Sequence, residues 1–207
     1  MLQVIVSREL EMAKAMSRQN TVTPTAEGLA ASVSAFKTRG LPPVEKWNPP
    51  FCGDLDMQIK RDGTWFYQGT PIGRKRLVKL FASILIREGD EYFLVTPVEK
   101  VGIKVEDAPF VAIDFEASGN GRDQLLTFQT NLDDIAAAGP DLPIRFVRDA
   151  DTQEPSPYVR IRRNLEALID RKSFYRLIEL GVHHDGWFGV WSGGEFFDVI
   201  PSSELPD

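Results

Sequence analysis

Ile72-Gly73-Arg74-Lys75-Arg76-Leu77-Val78-Lys79-Leu80-Phe81 and Ile169-Asp170-Arg171-Lys172-Ser173-Phe174-Tyr175-Arg176-Leu177-Ile178 read as two versions of one segment, 97 residues apart (169 − 72). Isoleucine, arginine, lysine and leucine coincide, and Lys79 meets Arg176. In both, apolar residues recur every three or four positions with bases between them, which predicts an amphipathic helix. The likeness extends outward. Ahead of the helices Ile59-Lys60-Arg61 parallels Ile161-Arg162-Arg163; behind them Tyr92-Phe93-Leu94-Val95 parallels Trp187-Phe188-Gly189-Val190, at a spacing of 95 (187 − 92). Ordered agreement over three segments, with small shifts of spacing at the loops, points to an internal duplication. The predicted fold is α+β: two tandem repeated units, each of strands packed on a helix.

The remaining chain fits around those units. Thr23-Pro24-Thr25-Ala26-Glu27 offers capping residues ahead of Leu29, Val33 and Phe36, predicting an N-terminal helix over 25–38 that Gly40-Leu41-Pro42-Pro43 stops. Two β-type runs, Asp56–Lys60 and Trp65–Tyr67, flank Arg61-Asp62-Gly63-Thr64, a hairpin signature. The first helix is predicted over Arg74–Ile86 and the second over Arg171–Leu180 with Gly181 as its cap. Strands are expected at Tyr92–Val95, Val101–Val105, Phe110–Phe115, Leu125–Phe128, Ile144–Arg148, Tyr158–Arg162, Trp187–Trp191 and Phe196–Ile200, with a polar loop over Asp151–Pro157. This divides the chain into an extension and helix (1–45), a first unit (46–124) and a second unit (125–207).

Composition narrows the function. With 207 residues, 43% of them hydrophobic and 26% charged, the chain is not of the disordered class. A net charge of −6 argues against coating extended nucleic acid. No apolar run approaches the roughly 20 residues of a membrane span, and no signal-peptide core follows Met1, so a cytoplasmic protein is expected. Met16 reads as an equally good start. One cysteine, Cys52, excludes an internal disulfide, and two adjacent histidines, His183 and His184, point to opposite sides of an extended chain, so neither a metal site nor a cofactor motif is read.

Two basic clusters carry the chemistry. Gly73-Arg74-Lys75-Arg76 opens the first helix, where free N–H groups and cationic side chains together favour a phosphate or carboxylate. The competing reading is a solvated face paired with Glu88 or Asp90. Arg160 and Arg162 fall on one face of a strand by alternation, in reach of the same anion, against the alternative that they pair with acids across the sheet. Glu99, Glu106 and Asp107 are the residues of an alternative, hydrolase-type reading, in which paired carboxylates divide acid and base roles. Trp65, Phe66, Tyr67, Trp187, Trp191, Phe196 and Phe197 alternate within strands and are expected to be mostly core.

At Phe51-Cys52-Gly53, Arg61-Asp62-Gly63-Thr64-Trp65, Gly69-Thr70-Pro71-Ile72-Gly73-Arg74, Leu94-Val95-Thr96-Pro97-Val98-Glu99-Lys100 and Val105-Glu106-Asp107-Ala108-Pro109-Phe110 the chain closely resembles the bacterial family known as domain of unknown function 1285. Phe128-Gln129-Thr130-Asn131 and Pro157–Arg162 extend the resemblance, which covers about Leu41 to Pro201. It implies a duplicated α+β core, a C-terminal unit similar to pleckstrin-homology-like folds, and a role in signal transduction with a nucleotide-like ligand at the interface of the units. Together these readings predict a small-ligand-binding or signalling module. Its anionic ligand would sit between the units on Gly73, Arg74, Lys75, Arg76, Tyr158, Arg160 and Arg162. A hydrolase and a protein-interaction scaffold with a protein partner are the alternatives.

Overall fold

The computed structural model describes residues 24–34, 40–150 and 154–205. The reading of Met16 as a start, the end of the first predicted helix (35–38) and part of the polar loop (151–153) lie outside them. Helix α1 (Ala26–Ser34) begins as predicted, with the Thr25 hydroxyl accepting the Gly28 N–H at 3.1 Å. It buries Ala26, Leu29 and Val33, one helical face.

The first unit runs β1 (Phe51–Ile59), β2 (Trp65–Tyr67), β3 (Thr70–Pro71), α2 (Lys75–Ser83), β4 (Leu85–Glu88), β5 (Glu91–Val95) and β6 (Lys100–Val105). Its strands form one sheet in the order β3-β2-β1-β6-β5-β4, with β1 parallel to β6 and the other pairs antiparallel. The β1–β2 turn is made by Gly63 at φ +82° and by Asp62, whose carboxylate accepts the Thr64 N–H at 2.8 Å. The predicted helix over 74–86 is too long. It ends at Ser83, and Leu85–Glu88 is a strand paired with β5. Tertiary pairing decides here, since Ile84-Leu85-Ile86 carries both a helical period and β-branched residues that suit a strand.

The second unit runs β7 (Phe110–Ser118), β8 (Leu125–Thr130), β9 (Ile135–Ala137), β10 (Ile144–Arg148), β11 (Pro155–Arg162), β12 (Leu165–Ile169), α3 (Arg171–Glu179), β13 (Val182–His184), β14 (Trp187–Ser192) and β15 (Glu195–Pro201). It holds a six-stranded sheet, β10-β11-β12-β7-β8-β9, and a separate three-stranded sheet, β13-β14-β15. One core joins the units, from Trp65 and Phe81 in the first to Phe110, Phe128, Leu165 and Leu177 in the second. Among the described residues no helix is long and apolar enough to cross a membrane.

In both units an antiparallel hairpin (β1–β2, β11–β12) precedes the helix and a three-stranded meander (β4–β6, β13–β15) follows it. The two copies are offset by 96, from the helix starts at Lys75 and Arg171 (171 − 75) to the turn-flanking pairs Glu88↔Glu91 and His184↔Trp187 (184 − 88, 187 − 91). Sequence likeness alone gave 97 in the helix and 95 in the strand, one residue off in each direction. Burial decides between them. At 96 the fully buried Phe81 matches the fully buried Leu177, whereas at 97 buried Ala82 would match exposed Glu179. Gly181 also has a different role from the predicted cap. Its φ is not left-handed, and the Phe188 ring lies against it, so that a Cβ there would come within 2.1 Å of that ring.

Candidate functional site

The units meet along the side of α2. Lys75 and Lys79, one turn apart, both donate to the carboxylate of Asp133, Lys75 at 3.0 Å. The tight turn between β8 and β9 presents that carboxylate. Thr130 Oγ1 accepts the N–H groups of Leu132 (3.2 Å) and Asp134 (3.0 Å), and Asp133 sits at φ +67°. The two ammonium groups hold the Asp133 carboxyl below the usual carboxylate range. At the other end of α2, Arg162 donates to the Ala82 carbonyl at 2.8 Å and to Asp134, and its guanidinium lies 4.7 Å from the Phe110 ring centre. Burial lowers the pKa of Arg162.

A second network crosses the other face of β11. Tyr158 donates to Asp107 at 2.7 Å, and Arg61 reaches the second oxygen of Asp107 at 3.4 Å. Burial, together with that hydrogen bond, pushes the Tyr158 phenol up to about 12. Arg145 grips Glu166 bidentately at 2.6 and 2.7 Å while its guanidinium stacks 4.3 Å over Tyr158, and Arg87 reaches Glu166 at 3.8 Å from the first unit. Burial also raises the Tyr92 phenol beside this network.

Arg160 and Arg162 do not share a face. A β-bulge lies between them. Arg160 opposes Glu166 on the Tyr158 face, while Arg162 opposes Leu165 on the face of Ala167 and Val159. Simple alternation fails at that extra residue. Arg160 is half-buried, its Nε is shut off from solvent, and its side chain has no hydrogen-bond or ionic partner among the described residues. Around its face the guanidinium groups of Arg61, Arg87 and Arg145 meet the carboxylates of Asp107 and Glu166, and Arg87 also bonds Asp90.

The predicted ligand residues therefore fall in three places. Gly73, Arg74 and Arg76 are exposed at the start of α2, and Lys75 is held by Asp133; Arg162 is at the far end of that helix, roughly 10 Å away for its length; Tyr158 and Arg160 lie across the sheet. Glu88 and Asp90 do not pair with the basic helix start but with Lys100 (2.8 Å) and Arg87 (3.1 Å). Glu99 lies in the β5–β6 turn, its carboxyl raised by burial, at the opposite end of β6 from Glu106 and Asp107. Six strand residues separate them by roughly 20 Å, too far for one reaction centre. Glu106 accepts the Arg61 N–H at 2.9 Å. Trp65, Trp191 and Phe197 are core residues, but Trp187 is 40% exposed. Cys52 is exposed and donates to the Pro50 carbonyl at 3.4 Å. No group of three metal-ligating side chains gathers among the described residues.

Sequence reasoning missed Asp133, Asp134, Arg145 and Glu166. The adjacent acids after Thr130-Asn131 were the available signal of a turn; the Arg145–Glu166 clamp leaves none, because it spans two strands around β11. Among the described residues, hollows open elsewhere on the surface. One of about 470 Å³ lies on the first sheet, lined by Gly102 and by Asp54, Asp90, Glu91 and Glu106 with Lys104 among them. Another of about 260 Å³ is lined by Asp56, Lys60 and Phe66. The third, also about 260 Å³ and largely apolar, lies beside α3. Neither basic cluster lines any of them.

Two family models match the chain: "Domain of unknown function (DUF1285), N-terminal domain" over residues 42–108 and "Protein of unknown function (DUF1285), C-terminal domain" over 109–199. They meet just before β7, whereas the sequence reading divides the units at 124. A crystal structure of a DUF1285 family protein from Silicibacter pomeroyi DSS-3 is 62% identical, covering 86% of this chain and 97% of that one, with a TM-score of 0.80. Another, from Shewanella baltica OS155, is 34% identical over 61% of this chain and 92% of that one, with a TM-score of 0.50. Among curated proteins none matches.

Proposed function

For this chain, which belongs to the DUF1285 family, we propose a ligand-binding or signalling module that takes a small, nucleotide-like anion at the junction of its two units. The observation that carries this reading is Arg160. A half-buried guanidinium without a carboxylate is costly, and an incoming phosphate oxygen offsets that cost with charge-assisted hydrogen bonds. Of the seven residues named from sequence, Gly73, Arg74, Arg76 and Arg160 remain for a ligand, because Lys75, Tyr158 and Arg162 already bond to Asp133, Asp107 and Asp134. A pleckstrin-homology-like second unit belongs to this reading, supported by its mostly antiparallel strands, β7 and β12 running parallel, packed on one helix. A cytoplasmic setting is supported by the exposed free thiol of Cys52, which suits a reducing compartment.

The test is a thermal-shift panel of inorganic phosphate, nucleoside mono- to triphosphates and cyclic nucleotides. At least one is expected to raise Tm in the full chain and not in Arg160→Ala. No shift across the panel, or the same shift in Arg160→Ala, refutes the reading. A shift lost in Arg74→Ala instead moves the site to the start of α2.

A further inference from the structure

We propose, resting on the anion reading at Arg160, that the ligand's binding group is a phosphate monoester and that it enters by displacing Glu166 from Arg145. Strand register brings the three side chains together. Glu166 on β12 lies directly across from Arg160. The Arg160 N–H donates to the Pro143 carbonyl at 3.0 Å, so Arg145, two residues on, stands diagonally from Arg160 at a Cα separation of roughly 7–8 Å. Because Arg145 is opposite Tyr158, its side chain reaches Glu166 only by crossing β11 between Tyr158 and Arg160. It crosses with its guanidinium 4.3 Å over the Tyr158 ring and bonds both Glu166 oxygens, at 2.6 and 2.7 Å. Two guanidinium groups thus adjoin one carboxylate, which bonds Arg145 and leaves Arg160 without a partner among the described residues.

An anion that reaches Arg160 therefore has Arg145 beside it, but must take it from Glu166. Charge decides which anions can. A phosphate monoester carries about −1.5 to −2 at pH 7 and has three free oxygens, enough to meet both guanidinium groups. A phosphodiester or a carboxylate carries a single charge, and at Arg145 it only replaces one such charge by another. The displaced Glu166 is not stranded, because Arg87 of the first unit stands 3.8 Å away, just beyond hydrogen-bond length. Arg87 is itself fixed by Asp90 at 3.1 Å and the Gly89 carbonyl at 2.9 Å, so Glu166 moves to it. Asp107, further along the same face, does not compete, since Tyr158 and Arg61 hold it. The way in is open, with the Arg145 side chain 46% exposed. Glu166 is in this account a built-in competitor, which admits a terminal phosphate in preference to a cyclic one.

The probes are pairs that differ at the phosphate: methyl and dimethyl phosphate, and the monophosphates and cyclic monophosphates of adenosine and guanosine. Each is titrated into the isotope-labelled full chain and followed by amide shifts and by the Glu166 carboxyl carbon, assigned through its loss in Glu166→Gln. In at least one pair the monoester is expected to bind about tenfold more tightly than the diester and to move the Glu166 signal as it saturates. The isosteric Glu166→Gln should tighten that monoester about tenfold, as removal of a coupled competitor does, and Arg145→Gln should weaken it. Binding that is lost in Arg160→Ala but equal within every pair, indifferent to Glu166→Gln, or without effect on the Glu166 signal overturns this proposal and leaves the anion reading standing. No binding by any probe, or binding that persists in Arg160→Ala, overturns both.

Discussion

Helices α2 and α3 each have nine residues and the same register to the meander that follows, yet they hold their places differently. Asp170 caps α3, its carboxylate accepting the Ser173 N–H at 2.7 Å, whereas Arg74 gives α2 no side-chain cap. What α2 lacks in local capping it has in cover, through Asp133, Asp134 and Arg162. The duplicated units share what faces their own sheets, Phe81 and Leu177, and diverge on the side that meets, or fails to meet, a neighbour. A repeat thus preserves its inward packing while its flanks follow their surroundings.

The largest effects test the register. Phe81→Ala should cost about 3–5 kcal/mol and Leu177→Ala about 2–5 kcal/mol in denaturant unfolding, with Ile178→Ala below both because it is half-exposed. A larger loss at Ile178 than at Leu177 would restore the 97-residue alignment. Next, Asp134→Asn leaves the Arg162 charge buried without its partner and should cost about 2–3 kcal/mol. By contrast, Asp114→Asn releases a half-exposed Arg176 that still donates to the Phe115 carbonyl, and should leave Tm nearly unchanged.

The pH limbs come third. Tyr158 has a folded pKa of about 12, above its ordinary 10.0, so its contribution is complete below pH 10 and drains away between pH 10 and about 12. Tyr158→Phe should lose that late phase in ultraviolet titration and flatten the alkaline unfolding limb. Asp133 is the reverse. Its folded pKa lies below 3.8, so its contribution is present above 3.8 and lost as pH falls through the lowered value; Asp133→Asn should flatten the acid limb. Smallest of all, Tyr175→Ser should change stability by about 0.5 kcal/mol or less, as expected for a surface position.

Local chemistry made part of this legible. The Asp62-Gly63 turn, the Thr25 and Asp170 caps and the duplication follow from residues whose preferences act over a few positions. What escaped depends on distant partners. Ile84–Ile86 leaves the helix because β5 claims the segment beginning at Leu85. One inserted residue in β11 sends Arg162 to the core-facing side and leaves Arg160 on the other, and no pattern of alternation announces a bulge. The residues predicted for the anion lie in three places for the same reason. Lys75 and Arg162 looked available because their acids, Asp133 and Asp134, lie 58 and 28 residues away in sequence.

The central claim is that Val78 and Ala82 are covered in the first unit while their counterparts Phe174 and Ile178 are half-exposed in the second. In a Cys52→Ser background, thiol labelling of Ala82→Cys and Ile178→Cys compares one such pair directly. The account predicts that Cys at 178 labels on mixing, while Cys at 82 labels only as the junction opens and speeds up when Asp134→Asn is added. Equal rates at the two positions would contradict it.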